Sequence, residues 1–243
     1  MTGRRRLALA AAPFLALLLL ASARELAQSR TVQLFGTLIA EVPVVDSSVA
    51  LTFDDGPSDV IVDSLVAMLR SRGVQATFFL IGTELARSPE AGSKLHAAGH
   101  ELANHSWSHP HLVLKSPARV RLEVERTDSL LRAAGERGRI RFRPPYGYKL
   151  VGLPWYLART GRTTVMWSIE PESYPEVASA PEAIVRHVLE RVRPGAIIVL
   201  HPWYDSRATT RAAIGPLVDS LQARGYRVGT IGSLLARGGP AGR

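Results

Sequence analysis

The chain has 243 residues, a net charge of +9 and no cysteine, and this length allows one or two domains. A hydrophobic fraction of 46% excludes wholesale disorder, a collagen-like repeat and a polytopic membrane protein. The lack of cysteine excludes disulfides, zinc–thiolate sites and a cysteine nucleophile. A metal ion would therefore have to be held by His, Asp or Glu.

The positive charge comes mostly from arginine, since only three of the 30 basic residues are lysine. These arginines are scattered, whereas nucleic-acid binding favours basic residues clustered on one element with interleaved aromatics. We therefore expect no nucleic-acid partner and consider an anionic cell surface the better match for a basic protein.

Residues 1–23 have the pattern of a secretory signal peptide. Three arginines at 4–6 precede an apolar run over 7–23, which ends in Ala-Ser-Ala. The alternative is an uncleaved anchor that tethers the protein to the membrane through residues 7–23, although Pro13 interrupts the run. Both alternatives predict that the remainder, with a charge of +6, is exported across the cytoplasmic membrane and is periplasmic, secreted or membrane-anchored facing outward.

Short β-branched or aromatic runs alternate with helical segments along the rest of the chain. The predicted strands are 49–53, 77–81, 101–104, 140–143, 163–168, 196–200 and 226–231. Helical periodicity is clearest over 59–72, 120–134 and 181–192. This alternation predicts parallel βαβ units in a single α/β domain, either a barrel or a doubly wound sheet.

The alternating pattern also gives the domain bounds. The catalytic domain is expected over residues 49–237, preceded by an extension over 24–48 in which 31–45 predicts a hairpin or a leading strand. Residues 238–243 are expected to form a disordered tail.

Polar and titratable residues follow the carboxyl ends of the predicted strands, which is where the chemistry of a parallel barrel is found. The segments are Asp54-Asp55-Gly56-Pro57, His105-Ser106-Trp107-Ser108-His109, Pro144-Pro145-Tyr146-Gly147, Glu170-Pro171-Glu172 and His201-Pro202-Trp203. Their convergence on one rim predicts an active site.

Two histidines and an acidic pair are candidates for a metal site. His105 and His109 are four residues apart, so on a helical turn they face the same way. A carboxylate from Asp54 or Asp55 would complete three ligands and leave positions open for water and substrate, with the other acid free as a base. The alternative is that the histidines are surface or capping residues and that the acidic pair only caps a turn.

Two further residues have both a structural and a catalytic interpretation. Arg143 ends an otherwise apolar strand, and it is either solvent-facing or the charge partner that keeps a catalytic carboxylate ionised. His201 follows a very apolar strand, and it is either structural or a general acid near neutral pH.

Four motifs occur together and in order along the chain. They are Thr52-Phe53-Asp54-Asp55-Gly56-Pro57, His105-Ser106-Trp107-Ser108-His109, Arg143-Pro144-Pro145-Tyr146-Gly147 and Ile198-Val199-Leu200-His201. On these motifs the chain resembles the polysaccharide deacetylase family, also called carbohydrate esterase family four. The resemblance implies a distorted (β/α) barrel of about seven parallel strands in a single domain. It also implies a divalent metal ion, Zn²⁺ first with Co²⁺ or another ion as the alternative, and removal of N- or O-acetyl groups from sugar polymers.

The resemblance further implies a role for each motif residue. The metal ligands would be Asp55, His105 and His109. The catalytic residues would be Asp54 as general base, Arg143 as its orienting partner, Tyr146 through its N–H at the oxyanion, and His201 as the acid for the leaving amine. Leu200 would line the pocket for the acetyl methyl, and Pro145 is a further candidate for the substrate pocket. From their place at the rim, Trp107, Trp203 and Tyr204 are candidates for a sugar-stacking platform, and the alternative is that they pack structurally, as aromatic residues at a rim do about as often.

One motif departs from the family pattern. Where the family often has two Asp residues and a final Trp, this chain has Glu170, Ser173 and Tyr174. A serine cannot raise the pKa of the acid histidine as a carboxylate would. We therefore expect either that Glu170 or Glu172 reaches the histidine ring, or that the histidine is a weaker acid, with reduced or narrowed activity.

The leading hypothesis is an exported, metal-dependent deacetylase that acts, as a monomer, on an N-acetylglucosamine-containing glycan such as peptidoglycan or a chitin-like polymer. An O-acetyl esterase of the xylan type on the same scaffold is one alternative. A non-catalytic glycan-binding protein is another, motivated by the altered motif. The complete set of base, ligand and acid residues argues against the binding protein.

Overall fold

The computed structural model describes residues 2–238, with side chains described from Leu15 onwards. The strands are β1 (Leu38–Ile39), β2 (Ser48–Asp55), β3 (Thr77–Leu80), β4 (Glu101–Asn104), β5 (Thr164–Val165), β6 (Ile197–Leu200) and β7 (Arg227–Gly229). The helices are α1 (Thr2–Gln28), α2 (Asp59–Ser71), α3 (Gly82–Arg87), α4 (Pro89–Ala97), α5 (Pro117–Ala133), α6 (Gly152–Arg159), α7 (Pro175–Ala178), α8 (Pro181–Arg191), α9 (Ala208–Ala223) and α10 (Ile231–Arg237).

All strand ladders are parallel, as the alternation of strands and helices predicted. One sheet has the order β4–β3–β2–β6, with β7 also paired to β2, and β1 pairs with β5 in a second. Isolated parallel bridges continue this order around the domain, from Asn104 to Phe142, from Phe142 to Thr164 and from Ile169 to Ile198. Within the described residues the ladders alone do not form a closed barrel. The parallel strand order together with these bridges confirms the predicted single domain with a distorted barrel of about seven strands.

Two predicted strands are much shorter than expected, and 163–168 forms only the two residues of β5. The segment 140–143 contributes only the bridge residue Phe142, because Pro144 and Pro145 follow it and have no N–H to extend a ladder. A further strand, Leu38–Ile39, pairs with β5, and it is the leading strand, and not the hairpin, of the two structures predicted for 31–45.

The hydrophobic core has two layers because successive side chains of a strand point to opposite faces. In β2, Val49, Leu51 and Phe53 pack outward against the helices, whereas Ala50 faces the interior. The same alternation directs Thr52 and Asp54 of this strand into the interior, where they meet Arg143. The Asp54 carboxylate is therefore placed inside the barrel by strand geometry alone.

The amino-terminal helix is exposed in the part of its apolar stretch whose side chains are described, from Leu15 onwards. Leu15, Leu17, Leu18, Leu19 and Leu20 each have more than half of their surface exposed. Within residues 2–238, no helix combines the length and the apolar character needed to cross a membrane. Most of the predicted disordered tail lies outside the described residues, but Gly238 forms an antiparallel bridge with Val44.

Candidate active site

A cavity of about 540 Å³ opens where several strands of the barrel end. Such a rim is the usual place for ligands in parallel α/β folds. The lining residues are Gln28, Arg30, Asp54, Asp55, His105, His109, Pro144, Tyr146, Gly147, Tyr148, Met166, Trp167, Glu170, Glu172, Ser173, His201 and Arg207. Polar groups from all five segments singled out in the sequence therefore converge with residues from the amino-terminal extension.

Asp54 is fixed by a fully buried arginine. The Arg143 side chain donates to Asp54 Oδ1 at 2.5 Å and to Thr52 Oγ1 at 2.9 Å. Its other guanidinium nitrogens donate to the backbone carbonyls of Val165 and Met166. Since all three guanidinium nitrogens have acceptors, Arg143 is held rigidly, and the interpretation of Arg143 as a solvent-facing residue is wrong.

Asp55, His105 and His109 form a compact ligand cluster. Asp55 Oδ1 lies 3.7 Å from His105 Nε2 and 3.5 Å from His109 Nε2, and one atom from each residue falls within 4.8 Å of the others. Asp55 has a φ of 71°, a left-handed conformation in which Asp is enriched over most residues. This backbone turn at the strand end brings Asp55 into the cavity beside Asp54.

The tautomer of His105 is set by a backbone contact. His105 Nδ1 lies 2.8 Å from the Arg143 carbonyl oxygen, so it donates its proton there and leaves the Nε2 lone pair facing the cluster. Burial lowers the pKa of His105 to about 3, and burial also lowers the pKa of His109. Both rings are therefore neutral at pH 7, the state in which imidazole binds a metal.

His201 is paired with a buried carboxylate. Glu172 Oε2 accepts from His201 Nδ1 at 2.7 Å and from the His201 backbone N–H at 2.8 Å, while Glu172 Oε1 accepts from Thr210 Oγ1 at 2.6 Å. Burial lowers the pKa of His201, but the hydrogen bond to Glu172 and the charges of the nearby carboxylates outweigh it and raise the pKa to about 9. His201 is thus protonated at neutral pH, with its Nε2–H unengaged by Glu172.

The other glutamate of this segment has a different role. Glu170 Oε2 accepts from Trp167 Nε1 at 2.9 Å and from Arg30 Nη2 at 2.8 Å. Of the two candidates for the histidine partner, Glu172 is therefore the one that the structure selects. The extra methylene of glutamate and the Pro171–Ser173 helical turn let Glu172 reach the ring from one position before Ser173.

Comparison with known proteins identifies the chain. The family described as polysaccharide deacetylase matches residues 41–165. A chitooligosaccharide deacetylase from Bradyrhizobium is 36% identical over 193 residues, which cover 74% of this chain and 87% of that protein. The chain belongs to the polysaccharide deacetylase family.

Further relatives support this assignment and the predicted hydrolase class. A peptidoglycan-N-acetylglucosamine deacetylase from Bacillus cereus is 31% identical over 201 residues, covering 82% of this chain and 93% of that protein. A crystal structure of a peptidoglycan N-acetylglucosamine deacetylase has a TM-score of 0.75 at 26% identity, covering 80% of this chain and 91% of that one. A family pseudoenzyme from Bacillus anthracis has a TM-score of 0.73 at 25% identity, covering 81% and 68%. Because the fold occurs in a pseudoenzyme too, activity has to be argued from the site residues.

The structure does not bring Leu200 to the cavity of this deacetylase. Ile197 and Val199 of β6 face the barrel interior, so the alternation of side chains turns Leu200 outward, where it is fully buried against the helices. The prediction that Leu200 lines the acetyl pocket is therefore wrong here. Pro145 is buried in its helical turn and does not line the cavity either.

The two tryptophans of the predicted aromatic platform pack structurally. Trp107 stacks against the guanidinium of Arg126 at 3.5 Å. Trp203 is buried against Phe78 at 5.9 Å and against Gly56, whose added Cβ would lie 2.3 Å from the indole. For these two residues the sugar-stacking prediction is wrong, whereas Tyr204 is half-exposed and lies beside Asp55.

Tyr146 is where the sequence predicted it, at the mouth of the cavity. Its ring contacts His109 at 4.5 Å and stacks on His111 at 4.2 Å, and its backbone has a φ of 58° in the turn that follows Arg143.

Several cavity residues had no signal in the sequence. Gln28, Arg30, Tyr148, Trp167 and Arg207 line the cavity but lie outside the segments predicted to carry the chemistry. Only the position of Trp167 at the end of a predicted strand gave any indication. The first two enter the site because the amino-terminal segment packs against the loop after Tyr146, a long-range contact that no local pattern encodes.

Proposed function

We propose that this polysaccharide deacetylase is an exported, metal-dependent enzyme that hydrolyses N-acetyl groups of N-acetylglucosamine-containing glycans. The observation that carries the proposal is the presence, in one cavity, of a base candidate (Asp54), a three-residue ligand cluster and a protonated acid candidate (His201). A module that only bound glycans would not need these three together.

The ligand cluster fits a divalent cation. Two neutral imidazole nitrogens and one carboxylate are the donor set of many catalytic zinc sites, and the contact of His105 with a backbone carbonyl is the outer support such ligands usually have. We therefore assign Asp55, His105 and His109 as ligands, with Zn²⁺ first and Co²⁺ as the alternative. When bound, such a cation supplies Lewis-acid polarisation of the acetyl carbonyl and a lowered pKa of water.

The residues around the cluster provide the proton transfers. Asp54 has Oδ1 bonded to Arg143, so Oδ2, which lies 3.9 Å from His105 Nε2, is the oxygen that takes the proton of the attacking water. His201 donates its Nε2 proton to the sugar nitrogen as the C–N bond breaks, which releases acetate and a free amine. The Tyr146 N–H is assigned to the carbonyl oxygen, where negative charge develops.

The glycan is inferred from the relatives. The names of two of them specify chitooligosaccharide and peptidoglycan N-acetylglucosamine as substrates, and both contain the amide that the site would hydrolyse. Export rests on the basic and apolar pattern of residues 1–23, which would place the enzyme on the side of the membrane where such polymers lie. The earlier reason for a non-catalytic alternative was Ser173, and Glu172 supplies the carboxylate that Ser173 lacks.

Acetate release tests the proposal. The purified protein is incubated with N-acetylated chitooligosaccharide, peptidoglycan and O-acetylated xylan, with and without a chelator. We expect release from the first two, loss of activity with chelator and restoration by Zn²⁺. Asp55→Asn should abolish both activity and zinc binding, whereas the exposed Asp63→Asn is the matched control and should retain both.

Each opposite outcome contradicts one part of the proposal. Release that persists after metal removal would refute the metal-dependent mechanism. Release from xylan alone would establish the O-acetyl esterase, and no release from any acetylated glycan would establish the binding protein.

A further inference from the structure

Residues 28–30 form one wall of the active-site cavity, and we call this segment the N-terminal wall. Gln28 and Arg30 both line the cavity that contains Asp54 and His201. The wall begins at Gln28, the last residue of α1. It precedes the part of the chain that matches the family, which begins at residue 41. It therefore lies outside the part of the chain that matches the family model.

The N-terminal wall is fastened to the barrel by specific polar contacts. The Lys149 N–H donates to the Ala27 carbonyl at 2.9 Å, and the almost fully buried Lys149 ammonium donates to the carbonyl of Ser29. Gln28 Nε2 donates to the Tyr148 hydroxyl at 2.6 Å. Burial of the Lys149 ammonium carries a free-energy cost, which its hydrogen bond to the Ser29 carbonyl offsets. These contacts therefore hold the wall in one place beside the cavity.

Arg30 presents unused hydrogen-bond donors to the cavity. Its guanidinium lies 4.6 Å from the centre of the Trp167 ring, and Nη2 donates to Glu170. Among the described residues, Nη2 is the only nitrogen of this side chain with a protein acceptor. Because the guanidinium covers one face of the indole, the wall offers N–H donors there and not an aromatic surface.

The N–H donors of the N-terminal wall favour binding of the hydroxyl groups of a sugar. In the proposed reaction the acetyl group lies at Asp54 and His201, and the wall lines the same cavity, so a neighbouring part of the glycan would be the part that meets the wall. Arg and Gln carry fixed, planar sets of donors that match neighbouring sugar hydroxyls. Resting on the proposed glycan deacetylase function, we propose that Arg30 and Gln28 form a subsite that binds the hydroxyl groups of the sugar adjacent to the one deacetylated.

The test is the dependence of affinity on glycan length. The metal-loaded full chain carries Asp54→Asn to stop turnover, and calorimetry gives the Kd for the monosaccharide N-acetylglucosamine and for N-acetylated chitopentaose. We expect Arg30→Met to weaken binding of the pentasaccharide about 10-fold, the effect of losing one or two hydrogen bonds from a charged donor, and to change binding of the monosaccharide, which lacks the adjacent sugar, less than about 2-fold. Arg24→Gln, an equal loss of charge six positions earlier and outside the cavity, should change neither.

Two results would overturn the subsite. One is a pentasaccharide affinity in Arg30→Met that stays within about 2-fold of the parent, and the other is an equal loss for both lengths, which would place Arg30 at the reacting sugar. Acetate release by the native protein is measured separately. If no acetate is released but Arg30→Met still weakens binding of the longer glycan selectively, the deacetylase function is rejected and the subsite is kept. If acetate is released but Arg30→Met has no such selective effect, the subsite is rejected and the deacetylase function is kept.

Discussion

Replacing Glu172 with Gln tests the acid half of the site most directly. Glu172 is buried and accepts from both the ring and the backbone of His201, so the substitution removes a negative charge 2.7 Å from the ring while keeping a side chain of the same shape. The pKa of His201, raised to about 9 in the native protein, should fall. Because this pKa lies above the ordinary value, the protonated ring is present below about pH 9 and is lost as the pH rises through it.

The size of the effect follows from the charge that is lost. An opposite charge in contact typically changes a pKa by ~1–3. If the pKa of His201 falls by ~1.5, the protonated fraction decreases ~4-fold at pH 8 and ~16-fold at pH 9. The decline of kcat on the alkaline side should therefore move by more than one pH unit toward neutrality, as expected when the general acid titrates earlier.

The assay is acetate release from N-acetylated chitooligosaccharide between pH 5 and 10 with saturating zinc. A bound cation offsets part of the charge of Asp54 and Asp55 and so affects the absolute pKa of His201 in both proteins. The measured quantity is therefore the difference in the alkaline decline of kcat between the native protein and Glu172→Gln. Glu170→Gln is the matched control because Glu170 bonds Trp167 and Arg30 instead of His201, and its alkaline decline should stay in place. Unchanged alkaline declines in both variants would refute the role assigned to Glu172.

Two further outcomes concern stability. Arg143→Met should lower the free energy of unfolding in urea by about 3–5 kcal/mol, because it leaves the buried Asp54 carboxylate unpaired, and Arg143→Lys should lower it less; a loss below about 1 kcal/mol would contradict this account. Burial lowers the pKa of His100 to about 4, so the contribution of the neutral ring to the free energy of unfolding is complete above pH 6.5 and is lost as the pH falls through 4. His100→Asn keeps an acceptor for the Ala76 N–H. Over that pH range the free energy of unfolding of the metal-free variant should fall by up to about 3 kcal/mol less than that of the metal-free native protein; an equal pH dependence in the two proteins would refute this account.

The catalytic constellation could be predicted because its parts are local. Asp54 and Asp55 end one strand, and His105 and His109 lie on the turn that ends another. In a parallel barrel the carboxyl ends of strands meet at one rim, so finding the strands was sufficient to bring the residues together. Arg143 is the last residue before two prolines, and the termination of its strand there directs it inward.

The substrate residues could not be predicted in this way. Whether Leu200 faces the cavity or the helices depends on the register of β6, and a shift of one residue reverses it. Trp107 and Trp203 look like exposed aromatics in a rim segment, yet each has a packing partner far away in the chain.

The sequence by itself determined the family, the barrel and the residues proposed here as base, metal ligands and acid, since these depend on contiguous motifs and on strand periodicity. Only the tertiary structure decided which glutamate supports His201 and which residues complete the cavity. The reason is physical: Glu172 rather than Glu170 reaches the ring because a helical turn aims it there, and Arg30 enters the site because Lys149 holds the amino-terminal segment against the barrel. Both are contacts between residues far apart in the chain, and no local pattern specifies them.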